Sequence, residues 1–99
     1  MATYITLMKF TQKGAENIKG GPARLEKAKK LFSSMGAELK AFYLVMGSYD
    51  AISITEEPDD TTVAKIRLAI GSQGNVSTET LRAFTEEEYR DIVKEIPTN

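Results

Sequence analysis

The stretch ELKAFYLVMGSYDAISIT, residues 38–55, joins two apolar runs through the polar turn Gly47-Ser48-Tyr49-Asp50. In the first run Leu39, Ala41, Tyr43 and Val45 alternate with Phe42, Leu44 and Met46; in the second Ile52 and Ile54 alternate with Ala51, Ser53 and Thr55. A period of two belongs to a strand, whose successive side chains point to opposite faces. Gly47 can supply a positive φ, and the Asp50 carboxylate can accept backbone N–H groups, so the stretch predicts a hairpin. Both faces of its first strand are apolar, and both therefore need cover.

Toward the N-terminus, residues 3–10 read as another strand, with Tyr4, Met8 and Phe10 facing one way and Ile5 and Leu7 the other. Residues 14–21 read as loop with room for one helical turn. Pro22 then sits where a first helical position tolerates a missing N–H, and Leu25, Ala28, Leu31, Phe32 and Met35 recur at helical spacing up to Gly36. Toward the C-terminus, Pro58, Asp59, Asp60, Thr61 and Thr62 open a second helix through Val63, Ala64, Ile66, Leu68, Ala69 and Ile70, which Gly71 ends. Residues 76–84 form the last strand, with Thr78, Thr80 and Arg82 on the face of Val76 and Phe84, and Glu79, Leu81 and Ala83 on the other. Thr85 with Glu88 reads as a capping box for a short third helix through Tyr89, Ile92 and Val93, closed by Pro97.

The order strand, helix, strand, strand, helix, strand is that of a ferredoxin-like α+β fold: βαββαβ, a four-stranded antiparallel sheet with two helices on one face, here followed by a short C-terminal helix. Ninety-nine residues, 41% apolar and 27% charged, suit one domain spanning 1–99. Its other sheet face would be left open while carrying Ile, Leu, Tyr and Val, a larger apolar patch than monomers usually expose. A second subunit packed face to face covers it most simply; the alternative is that the C-terminal helix folds back over it.

The inventory excludes much chemistry. There is no Cys and no His, hence no disulfide, thiolate nucleophile, thiolate zinc site or His-based triad. Proton transfer falls to Asp, Glu, Lys or Tyr, any metal would be a hard ion held by oxygens, and the expectation is no metal and no cofactor. No apolar run approaches the roughly 18–20 residues that span a bilayer, and residues 1–10 lack the pattern of a signal peptide, so a cytoplasmic, membrane-free protein is expected. Net charge is −1, but residues 1–49 carry eight Lys/Arg against three Asp/Glu and residues 50–99 five against eleven, that is +5 and −6. Arg24, Lys27, Lys29 and Lys30 share one helix without aromatic platforms, which reads as a solvated face rather than a nucleic-acid surface.

Gly47-Ser48-Tyr49-Asp50, with Ala51-Ile52-Ser53-Ile54, Pro58-Asp59-Asp60, Gly74-Asn75-Val76 and Thr78-Glu79-Thr80-Leu81-Arg82-Ala83-Phe84, resembles the GYD domain family, named for its Gly-x-Tyr-Asp stretch. The resemblance covers nearly the whole chain, including Pro22-Ala23-Arg24. It implies a ferredoxin-like fold similar to the dimeric α/β-barrel proteins and brings no established activity. That wider group includes cofactor-independent monooxygenases, isomerases and lyases, haem proteins and ligand-sensing modules, so fold alone selects no function.

Three functional readings follow. The first is a homodimeric or larger small-molecule-binding domain, its ligand apolar or anionic, with Arg82 as polar anchor and Thr78 and Thr80 orienting the ligand between sheet and helices. The second is a cofactor-independent monooxygenase- or isomerase-like enzyme with Asp50 or Tyr49 moving the proton. The third is a structural or partner-binding module. Beside each stands a structural account: Gly47, Tyr49 and Asp50 building a turn, Arg82 paired or exposed at an edge, and Gly74 with Asn75 belonging to a helix stop rather than a phosphate loop.

Overall fold

The alternation along the first strand places its side chains on two unlike surfaces, one covered by helices and one bare. In the computed structural model, which describes residues 1–98, the elements run β1 (Ala2–Phe10), α1 (Gln12–Glu16), a 3-10 turn at Ile18–Gly20, α2 (Gly21–Ser34), β2 (Glu38–Leu44), β3 (Ala51–Glu57), α3 (Asp60–Ser72), β4 (Val76–Ala83) and α4 (Glu86–Lys94). The sheet order is β2-β3-β1-β4 and every neighbouring pair is antiparallel. This is the ferredoxin-like α+β arrangement read from the sequence.

Register sorts the side chains into rows. On the covered face, Phe42, Ser53, Thr6 and Thr80 stand side by side, flanked by the row Leu44, Ala51, Met8, Thr78 on one side and by Thr55, Tyr4 and Arg82 on the other. On the bare face the corresponding rows are Ala41, Ile54, Ile5, Leu81 and Tyr43, Ile52, Leu7, Glu79. One detail corrects strict alternation. A bulge between Leu39 and Ala41 puts Leu39 on the face of Phe42 and Leu44, where it packs on the core, instead of with Ala41 and Tyr43.

The core cluster is Phe32, Ala37 and Ile66, with Leu31, Met35, Leu39 and Ile70 packed against it. It is small because α3 contributes less than its apolar sequence suggests: Ile66 is fully buried, whereas Leu68 is 74% exposed. Asp59 caps α3 by accepting from Thr62 N at 2.8 Å, and that N–H holds its carboxyl below the ordinary value of 3.8. The capping box predicted at Thr85 and Glu88 is present. The α4 helix does not cover the bare sheet face; Tyr89, Ile92, Val93 and the following Ile96 are all exposed.

Candidate functional site

Between the covered face and the two long helices lies a cleft of about 640 Å³. Its floor comes from β1, β3, β2 and β4 through Thr6, Met8, Phe10, Ala51, Ser53, Phe42 and Thr78; α2 and α3 supply the walls, among them Leu25, Ala28, Leu31, Arg67 and Ile70. It runs along the sheet from the Phe10–Val76 pair to the Ser53–Thr6 row. In the next row, Leu39 lines it, but Thr55, Tyr4 and Arg82 do not. Four of the core residues, Leu31, Phe32, Leu39 and Ile70, border it as well.

The inner end is polar and tightly bonded. Glu57 is 0% exposed, and its Oε1 and Oε2 accept from the two terminal nitrogens of Arg67 at 3.1 and 2.7 Å. Thr55 Oγ1 donates to Glu57 Oε2 at 2.7 Å. Arg67 Nε donates to Thr80 Oγ1 at 3.0 Å, and that hydroxyl is 3.3 Å from Thr6 Oγ1. The guanidinium also lies over the Phe32 ring, 5.6 Å from its centroid. A buried carboxylate needs both a counter-charge and filled lone pairs, and here one Arg and one Thr supply them.

The residues expected from the sequence are dispersed. Thr78 lines the cleft, and Thr80 holds Arg67. Arg82 is exposed at the edge strand β4, donates to the carbonyls of Thr3 and Ala83, and lies over the rings of Phe84 and Tyr4. Asp50 lies at the opposite end of β1: its Oδ2 accepts from Phe10 N at 2.8 Å while its own N–H donates to Met8 O. Tyr49 turns to the edge of the bare face, where its OH donates to Glu79 Oε2 at 3.3 Å and Lys9 Nζ lies over its ring. The Glu79 charge, with some burial, raises the phenol pKa, farther from the range where a proton-transfer group works at neutral pH. Gly47 adopts φ 140°, a conformation that favours glycine.

Gly74 and Asn75 anchor α1. Thr11 Oγ1 donates to Gly74 O at 2.6 Å, and Thr11 N to Asn75 O at 3.1 Å. A Cβ on Gly14 would stand 2.0 Å from Asn75 O, so glycine alone permits this approach.

Glu57 and Arg67 were not singled out in the sequence. The signal was the inward parity that Ala51, Ser53 and Thr55 share with Glu57, combined with Arg67 spaced three or four residues from Val63 and Ile70 on a helix. Among the described residues no group of three or more acidic side chains is placed to hold a metal ion, and no helix is long and apolar enough to cross a membrane.

Residues 4–93 match the family model described as the GYD domain. The chain is 37% identical over 85 residues to the "Glutamine synthetase and cystathionine beta-lyase binding protein" of Thermus thermophilus, a match covering 85% of this chain and 90% of that protein. A crystal structure of a Thermus thermophilus protein superposes with a TM-score of 0.55 at 22% identity, covering 86% of this chain and 95% of the other, a likeness of fold.

Proposed function

The chain belongs to the GYD domain family, and on that premise we propose that it is a docking module: two copies pair through the bare sheet face, and the pair binds enzymes. One observation carries the reading. Ala41, Ile54, Ile5 and Leu81 form an apolar row across all four strands, and Tyr43, Ile52 and Leu7 a second across three that ends at Glu79; Tyr43 and Leu81 are exposed. Charges frame the patch, with Lys40 bridging Glu38 and Glu56 on one side and Lys9, Tyr49 and Glu79 on another. An apolar centre inside a polar rim is the anatomy of a protein interface.

Hiding several hundred Å² of apolar surface at about 25 cal/mol per Å² gives on the order of 10 kcal/mol, comparable with an association cost of about 4–15 kcal/mol, so the net strength of pairing depends on how well the two faces fit. The step to enzymes rests on the relative from Thermus thermophilus, whose name states that it binds glutamine synthetase and cystathionine beta-lyase. The catalytic reading draws less support, because Asp50 Oδ2 already accepts from the Phe10 N–H and the Glu79 charge raises the Tyr49 phenol pKa further from neutrality.

Sedimentation velocity of the wild type and of Ile54→Lys tests the pairing, with cooperative thermal melting as the control for folding. A wild-type dimer and a folded Ile54→Lys monomer are expected; a variant that still pairs would remove the bare face from the interface. Calorimetric titration of the wild type with each of those two enzymes tests the enzyme-binding step, and absence of heat with both would sink it.

A further inference from the structure

We propose that the cleft between α2, α3 and the sheet binds an uncharged, largely apolar molecule, its hydrogen-bonding head, a carbonyl or hydroxyl, held against Arg67 and Ser53. This site stands independently of pairing, since the bare face lies on the other side of the sheet.

Size is the first argument. The cleft, open to solvent at the exposed Leu44 and Phe42, measures about 640 Å³, within the range of roughly 300–1,000 Å³ typical of ligand sites. From Thr6 to Phe10 the floor follows about 13 Å of strand at about 3.3 Å per residue, long enough for an extended aliphatic chain. The walls offered to that chain are Leu25, Ala28, Leu31 and Ile70.

The inner end supplies the second argument. Ser53 is 4% exposed, yet its hydroxyl is bonded to no side chain among the described residues. Ser53 lines the cleft. Arg67 commits one hydrogen from each terminal nitrogen to Glu57 and its Nε–H to Thr80, which leaves two of its five N–H donors. Donors that face the cleft can bond a ligand's acceptor in place of water.

Charge balance then selects the class. Arg67 faces the cleft and is matched by Glu57 behind it, so the inner end is already neutral. A carboxylate head there would either draw Arg67 from Glu57, stranding a wholly buried carboxylate, or place a second negative charge beside it. An ammonium head would meet the guanidinium. A neutral acceptor uses the spare donors without disturbing the pair.

Isothermal titration with methyl heptyl ketone and with nonanoate, matched in chain length, reads the preference. The ketone is expected to bind at least about tenfold more tightly than nonanoate, and Ser53→Ala to weaken it about tenfold. Ala28→Phe, which sends a ring into the cleft from α2, is expected to abolish binding; if that variant does not melt cooperatively, Leu25→Trp is used instead. Equal or tighter binding of nonanoate overturns the ligand class. Undiminished ketone binding in the filled variant overturns the site, and no binding of the ketone by the wild type overturns the proposal. The cleft variants are expected to sediment as the wild type does, which separates this result from that of the bare face.

Discussion

At Glu57 a carboxylate sits without solvent exposure, both oxygens bonded to Arg67 and one also to Thr55. Removing one partner of such a pair leaves a charge in a medium that cannot solvate it, so Arg67→Ala is expected to cost about 3–5 kcal/mol. Replacing both ends together, as Glu57→Leu with Arg67→Met, is expected to cost less than Arg67→Ala alone; urea denaturation of the three proteins checks the order. Glu57 was hidden in the sequence because the apolar alternation stops before it, at Thr55, and Pro58 makes Glu57 look like loop. Arg82 misled for the opposite reason. It has inward parity on β4, but β4 is an edge strand, so a long side chain one row beyond the cleft reaches solvent and the ring of Phe84. Asp50 and Gly47 were legible as turn chemistry, since a positive φ and a carboxylate receiving a backbone N–H are local requirements.

Among the elements, α4 depends most on its own sequence. All its residues but Glu88 are exposed, so tertiary packing lends it little, and its capping box and acidic first turn matter correspondingly more. The Thr85 backbone N–H holds the Glu88 carboxyl below its ordinary value of 4.5. A depressed folded-state pKa contributes stability that is whole above the unfolded value and lost as pH falls through the folded one. Helical Cα chemical shifts across residues 86–94 are therefore expected to decline below about pH 4.5, while those of β1 and β3 hold; Thr85→Ala is expected to lower the α4 shifts already at neutral pH. The β2 bulge behaves oppositely: no local residue announces it, and it exists because Leu39 gains more on the core than on the bare face. The α3 helix shows the same limit, its apolar sequence giving helix and face but not that Leu68 stays outside.

For the whole molecule, the bare sheet face, the exposed apolar side of α4 and an extent of 56 × 31 × 18 Å describe a chain with more apolar surface than its own fold covers. If two copies share the bare face, mass action links stability to concentration. A tenfold rise in protein concentration is then expected to raise Tm by about 3–5 °C, whereas Ile54→Lys is expected to melt at a Tm independent of concentration; differential scanning calorimetry over that range decides. The sequence by itself determined the order of elements, the parity of β1, β3 and β4 and the caps, because propensity, period and hydrogen-bond needs act over a few neighbouring residues. Tertiary structure alone decided that Glu57 meets Arg67 and that Arg82 lies outside the cleft expected between sheet and helices. Those outcomes depend on which strand becomes an edge, where a bulge shifts register and how closely helices approach a sheet. Such quantities arise only when residues distant in the chain compete for the same space and the same polar partners.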